Sequence, residues 1–436
     1  MAIEQKKLDD LVEIKILDPS NMWERMIAVP EQIISAGKQV SEIALPEIYR
    51  NAKAVVFAGM GGSAVAGDFL QSVLLSKWCE RGGRQVAAPI FLVSRSRSLP
   101  SWVDETTLVF ISSYSGNTEE TLACFDDAVE RAAMIIAFTS GGKLHEKATG
   151  AGVPIFDVGG FIHQGLPPRD TVEPRTTVMA SFVGSLGVLC RLGLVDGELD
   201  TVWLAAFARE VMSFYIPSSP TNAAEEPTIE GSLWPSHNLA KQLATRLAGK
   251  IVVVYGGDEL DSVARRWKTQ INENADSWAF AEALPDANHN SVNGYRLEDM
   301  ESKVEVVLLS NGDPRFPKLD KVQELFRSKG VPVQSVSIHS QMRRVEDRHR
   351  FASSPTNLQQ QVTNHANRVA EQGHRALVRE KEREYRGWKD KYNQHLEITR
   401  ILIGTCLGDW VSYYMALLTG VDPSPVPHIT ALKDVP

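Results

Sequence analysis

Short apolar runs alternate with longer amphipathic stretches along most of this chain, and that alternation restricts its fold more than any other feature. Strand-like runs stand at 54–58 and in APIFLVS (88–94), TLVFIS (107–112), AMIIAFTS (133–140) and VPIFDVG (153–159). Stretches of about 10 to 15 residues with helical spacing separate them, which is the wiring of βαβ units around a parallel sheet. An apolar helix predicted over 176–192 closes this unit. After a stretch rich in Pro, Ser and Gly the alternation resumes with NLAKQLATRLAGK (238–250), IVVVYGG (251–257), VARRWKTQINENADS (263–277), KVEVVLLSN (303–311) and VPVQSVSI (331–338). The expected class is α/β, with two domains that are each a parallel sheet flanked by helices, and a C-terminal helix packed back on the core. The boundaries read as an N-terminal helical segment 1–40, a first domain 41–215, a linker 216–236, a second domain 237–340, a polar helical insertion 341–394, and a C-terminal helix and tail 395–436.

Charge and cysteine usage narrow the function. Forty-six basic residues against 54 acidic ones give a formal net charge of −8 over 436 residues, the wrong sign for a nucleic-acid-binding surface. A small anionic ligand is not excluded, because a few placed side chains and helix dipoles can capture one. Cys79, Cys124, Cys190 and Cys406 stand far apart without a CxxC, so neither a disulfide framework nor a structural zinc site is expected. No run approaches about 18 consecutive apolar residues, and the first 20 residues lack an apolar signal core. The expected location is cytoplasmic. Five of the ten histidines lie between His339 and His395, in and beside the insertion, without the paired spacing of a metal site. It reads as an exposed helical excursion with solvated charges.

Two loops carry the chemistry. The first, from Gly59 to Asp68 (GMGGSAVAGD), lets the backbone approach a ligand at the start of a helix. Alone it also fits a dinucleotide loop. The next strand ends at Ser94 and Arg95 with no carboxylate for a ribose, which leaves an NADP site on Arg95 or Arg97 as one alternative and tight strand-to-helix packing as another. The second loop, SSYSGNTEET (112–121), gathers hydroxyls at another strand-to-helix junction. Hydroxyls and backbone N–H groups at the positive end of a helix suit the three oxygens of a phosphate monoester. Two such loops without a Walker lysine favour a phosphorylated metabolite over a nucleoside triphosphate. Farther on, Glu273 lies off the apolar stripe of Val263, Trp267 and Ile271. By itself it reads as a solvated helix-face acid, and His289 as a loop histidine satisfied by neighbouring amides.

The motifs GMGGSAVAGD, SSYSGNTEET, EPRTTVMASF (173–182), RWKTQINENA (266–275), LPDANHN (284–290) and GDWVSYYMALLTGVDPSPV (408–426) occur in the order seen in one group of enzymes. The chain resembles the bifunctional phosphoglucose/phosphomannose isomerases, a branch of the sugar isomerase (SIS) fold. The resemblance implies interconversion of glucose 6-phosphate, and of mannose 6-phosphate, with fructose 6-phosphate through an enediol, with no metal and no cofactor. It implies that Glu273 moves the proton between C1 and C2, that His289 and Lys433 open the ring, and that Arg175 stabilises the enediolate. Arg169 is a rival for the arginine. Gly61, Gly62, Ser63, Ser113, Ser115 and Thr118 carry over as substrate and phosphate contacts. It further implies a homodimer in which His289 is shared across the interface. The chain departs from the family's pattern at Asp286, where Glu is usual, at Ser424, where Thr is usual, and in the polar insertion. A sugar-phosphate-binding regulator without catalysis is the alternative from another class.

Overall fold

The computed structural model describes residues 8–80, 89–162, 172–217, 238–294, 300–312, 319–352 and 368–433. Three helices open the chain, α1 (Leu11–Leu17), α2 (Met22–Ile27) and α3 (Val29–Glu42). The first sheet then alternates β1 (Ala54–Gly59), α4 (Gly61–Glu80), β2 (Ile90–Ser94), β3 (Thr107–Ser112), α5 (Glu119–Glu130), β4 (Met134–Thr139), α6 (Gly142–Ala151) and β5 (Ile155–Asp157). All its pairings are parallel and the strand order is β2-β1-β3-β4-β5. Every residue of β1, β3 and β4 is buried, the pattern expected when helices cover both faces of a parallel sheet. Two apolar helices follow, α7 (Val178–Arg191) and α8 (Thr201–Ser213).

The second unit contains α9 (Leu239–Leu247), β6 (Ile251–Gly257), α10 (Glu259–Asn274), β7 (Ala279–Leu284), α11 (Met300–Lys303), β8 (Val304–Ser310), α12 (Leu319–Ser328) and β9 (Val333–Ser337). Its strands are parallel in the order β7-β6-β8-β9, the same wiring as the first four strands of the first sheet. Strand β7 is not expected from the sequence pattern. Its residues AFAEAL carry three alanines and no β-branched side chain, so strand propensity is weak. Six residues of backbone register with β6, from Val252↔Ala279 to Gly257↔Leu284, override it. The predicted linker, 216–236, falls almost wholly outside the described residues.

A helix from Leu396 to Thr419 runs through the centre of the molecule. By length and apolarity it alone among the described helices could cross a membrane, but 94% of its most apolar window is buried inside the protein. It packs on α8, α9 and α10, and its Trp410, Tyr413 and Tyr414 join one continuous apolar cluster with Phe57, Phe182 and Trp267. The C-terminal helix therefore packs back on the core, as the sequence suggests. Ser72 of α4 and Ser262 of α10 meet at 2.9 Å, so the first helix of each sheet faces the other.

The insertion is less solvated than its composition suggests. It forms α13 (Ile338–Ala352) and a long helix, Arg368–Gln394. Trp388 and Tyr392 are buried, and His349 stacks on Trp388 at 4.5 Å while bonding both oxygens of Glu210. His395 is 1% exposed and accepts from the Asp200 amide. Two of the five histidines expected in solvent are therefore held in packed contacts, because an aromatic stripe at helical spacing turns that face toward α8.

Candidate active site

The two predicted loops leave adjacent strands at the same end of the first sheet, with Gly59 of β1 paired to Ser112 of β3. On a parallel sheet this is the crevice where connections diverge to opposite sides, the usual ligand position. The loops are tied to each other: the Tyr114 amide donates to the Ser63 hydroxyl at 3.4 Å, and the Ser112 hydroxyl to the Ser63 carbonyl at 3.4 Å. Ser113 is buried and donates to the Thr118 hydroxyl at 3.0 Å. Ser115 is exposed, and its hydroxyl accepts from the Asn117 amide at 3.3 Å. Thr118 caps α5. Gly61 has φ +50, a conformation that strains any residue with a Cβ, and opens α4. Gly62 is required for a different reason: a Cβ there would lie 3.1 Å from the backbone N and Cα of Arg175.

That contact brings Arg175 to the loops. Arg175 sits on a single 3-10 turn, Pro174–Thr177, ahead of α7. Its side chain is 2% exposed and its Nη1 lies 3.5 Å from the Glu273 carboxylate, itself 21% exposed. The guanidinium is otherwise saturated by oxygen: Nε donates to Asn274 Oδ1 at 2.8 Å, and Nη2 to the Pro423 and Ser424 carbonyls at 2.9 and 2.8 Å. Burial lowers its proton affinity from the ordinary value, opposed by the carboxylates of Glu273 and Glu173, and an arginine stays charged through such a change. A fixed cation therefore stands beside a partly exposed carboxylate, next to the glycine loop.

A second arginine props up the first. Arg266 of α10 forms a forked pair with Asp409, two bonds of 3.0 Å, and its Nη2 donates to the Arg175 carbonyl at 2.6 Å. Asn274 donates to the Ser412 hydroxyl at 2.9 Å. Asn274, Arg266 and Asp409 had no assigned role in the sequence analysis. Their signal was available: Asn274 falls on the stripe of Val263, Trp267 and Ile271, and a polar side chain on a buried stripe must find a partner.

The other predicted residues lie as follows. His289 ends a 3-10 turn, Asp286–His289, beyond β7, and is exposed. Within one chain it does not come within hydrogen-bonding reach of Glu273 or Arg175. Lys433 is the last residue of the helix Pro427–Lys433, of which only its backbone is described. Arg169 lies outside the described residues. Arg95 pairs with buried Asp68, and Arg97 with Glu119 at 3.4 Å, so both arginines offered to a dinucleotide phosphate are engaged with carboxylates. Among the described residues, no group of three or more His, Cys, Asp or Glu side chains is placed to hold a metal ion.

Comparison with known proteins identifies the family and the fold. The family described as "Bacterial phospho-glucose isomerase C-terminal SIS domain" matches residues 236–347 and 362–435. A bifunctional phosphoglucose/phosphomannose isomerase of Caldicellulosiruptor bescii is 36% identical over 278 residues, 63% of this chain and 71% of that protein. One of Aquifex aeolicus is 31% identical over 382 residues, covering 88% and 90%. The crystal structure of tagatose-6-phosphate ketose/aldose isomerase from Escherichia coli superposes with a TM-score of 0.56 at 13% identity, over 94% of this chain and 96% of that one, which supports the SIS fold. The chain belongs to the bifunctional phosphoglucose/phosphomannose isomerase family.

Proposed function

We propose that this protein interconverts glucose 6-phosphate, and mannose 6-phosphate, with fructose 6-phosphate by proton transfer through an enediolate. The observation that carries the reading is the Arg175–Glu273 pair at 3.5 Å beside the glycine loop. Aldose–ketose isomerisation needs a base that removes a proton at one carbon and returns it at the next, and a cation where the enediolate oxygen gains charge. Glu273 is assigned the first task and Arg175 the second. The planar enediolate has lost the C2 configuration, so one carboxylate serves both epimers when the intermediate turns about its C2–C3 bond and presents its other face to the base. The phosphate is assigned to Gly61, Gly62, Ser63, Ser113, Ser115 and Thr118, where hydroxyls and the N-termini of α4 and α5 converge. Ring opening is assigned to Lys433 and to His289, whose exposed turn beyond β7 suits delivery from a second copy in a homodimer. Unpaired Cys124 and Cys406 fit a cytoplasmic enzyme.

A coupled assay of fructose 6-phosphate formation tests the reading. Glu273→Gln keeps the shape of the side chain and removes its basicity, so kcat should fall by about 10²- to 10⁴-fold with KM nearly unchanged. A wild type that binds fructose 6-phosphate without turning it over would instead favour a sugar-phosphate-binding regulator.

A further inference from the structure

Two charged side chains with no part in the chemistry above lie directly behind Arg175. Arg25 of α2 is 7% exposed and Glu173, two residues before Arg175, has a side chain 13% exposed. They pair at 2.9 Å, and the same Arg25 nitrogen donates to the Ser424 hydroxyl at 3.1 Å. Ser424 in turn offers its carbonyl to Arg175. The contacts close a ring: Arg175 to Ser424, Ser424 to Arg25, Arg25 to Glu173, and Glu173 back to Arg175 along the chain. The ring is anchored at both ends of the polypeptide. Asp18 caps α2 at Met22 and Trp23 and accepts from Tyr413 at 3.0 Å, and Ser20 donates to Asp422 at 2.9 Å.

Stability does not explain the pair. Arg25 Nε and Glu173 Oε2 are buried without a partner, and burial pushes the Glu173 carboxyl above its ordinary value despite the neighbouring arginine. Buried ion pairs with unsatisfied atoms are often matched or exceeded in stability by apolar pairs of similar volume. What an apolar pair cannot do is hold the Ser424 hydroxyl, and with it the carbonyl that sets the height of Arg175.

We propose that Arg25 and Glu173 are positioning residues, fixing Ser424 and through it the guanidinium that stabilises the enediolate; this rests on the isomerase reading above. A misplacement of about 1 Å at such a group costs about a hundredfold in rate. The decisive variant is the double replacement Arg25→Met with Glu173→Leu. It should unfold in urea at or above the wild-type midpoint, with kcat for fructose 6-phosphate lowered about tenfold to a hundredfold and KM within about twofold. Arg25→Lys should recover part of the loss. Wild-type kcat in a stable double variant overturns the proposal. If the double variant fails to fold, Glu173→Gln decides, and unchanged kcat there overturns it as well. Calorimetric binding of 5-phosphoarabinonate, whose carboxylate mimics the planar enediolate, separates the two levels. Should the wild type turn over no sugar phosphate, the isomerase reading fails, and the positioning inference stands or falls on whether the double variant binds the analogue more weakly than wild type. A wild type that binds no analogue overturns both.

Discussion

The forked pair between Arg266 and Asp409 allows a magnitude to be worked in advance. Arg266 is 1% exposed and the Asp409 side chain 13%. Two bonds of 3.0 Å join them. At that separation and an effective dielectric near 20 the attraction is about 5–6 kcal/mol, and desolvation of both groups offsets most of it. Burial accordingly pushes the Asp409 carboxyl above its ordinary range, with Arg266 pulling it back. Asp409→Asn removes the charge and leaves Arg266 buried and uncompensated, with its Nη1 already lacking a partner. The expected cost is about 3–5 kcal/mol. Replacing both, Arg266→Met with Asp409→Leu, removes the stranded charge and should return the protein to within about 1 kcal/mol of wild type. The cycle of wild type, Arg266→Met, Asp409→Leu and the double variant, unfolded in urea and followed by tryptophan fluorescence, should therefore show a coupling of at least about 2 kcal/mol. Activity should not recover with stability, because Arg266 also donates to the Arg175 carbonyl at 2.6 Å. An Asp409→Asn protein within about 0.5 kcal/mol of wild type, or additive single effects, would refute the reasoning.

Two further outcomes can be checked with the same tools. Gly62→Ala places a Cβ 3.1 Å from Arg175 backbone atoms that cannot swing aside, so kcat should fall about tenfold or more; Gly61→Ala meets open space and should show only the strain of its φ of +50, about 1–2 kcal/mol in urea unfolding. Equal effects of the two on kcat would count against the Arg175 contact. Acid should loosen the long insertion helix. Burial disfavours the charge on Asp200 and Glu346, but hydrogen bonds from Lys391 and the Trp203 amide to Asp200, and from Lys389 and Tyr385 to Glu346, outweigh it and lower both carboxyls. With folded values depressed, their stabilisation is present above the ordinary carboxylate range, about pH 4, and is lost as pH falls through the lowered values. Tryptophan emission from Trp203 and Trp388, 6.1 Å apart, should shift red on acidification below about pH 4, and less so in Asp200→Asn with Glu346→Gln; an identical shift in that variant would assign the change elsewhere.

The parts of this fold that were legible in the sequence are those where local pattern and tertiary role agree. Runs such as VVFA, LVFI and MIIAF are apolar on both faces because both faces are covered, and they read as buried parallel strands without help. Strand β7 failed the same test because it is an edge strand: Phe280 is 49% exposed on one side, and its identity as a strand comes from backbone bonds to β6. The loops of the site were legible because glycine and hydroxyl clusters are local. Its convergence was not. Arg175 meets Asn274 across 99 residues and the Ser424 carbonyl across 249, and no spacing rule reaches that far. The insertion shows the opposite case. Tyr385, Trp388 and Tyr392 stand at helical spacing, so an apolar face was visible, but the high charge around it concealed the contact.

Helix ends explain why the site draws on so many segments. A phosphate is favoured at the positive N-terminal end of a helix, and α4 and α5 both supply one beneath the glycine and hydroxyl loops. Glu273 is the penultimate residue of α10, where the dipole presents its negative end and an anion is disfavoured. A carboxylate proposed as the base must not be neutralised by a close ion pair. The observed compromise is a guanidinium at 3.5 Å whose remaining donors are committed to Asn274, Pro423 and Ser424. Because those acceptors fix its orientation, Arg175 is kept from collapsing onto Glu273. Two of the three lie on the C-terminal tail, and the tail is held by α2. Both ends of the chain are therefore needed to keep one cation at the right distance from one base.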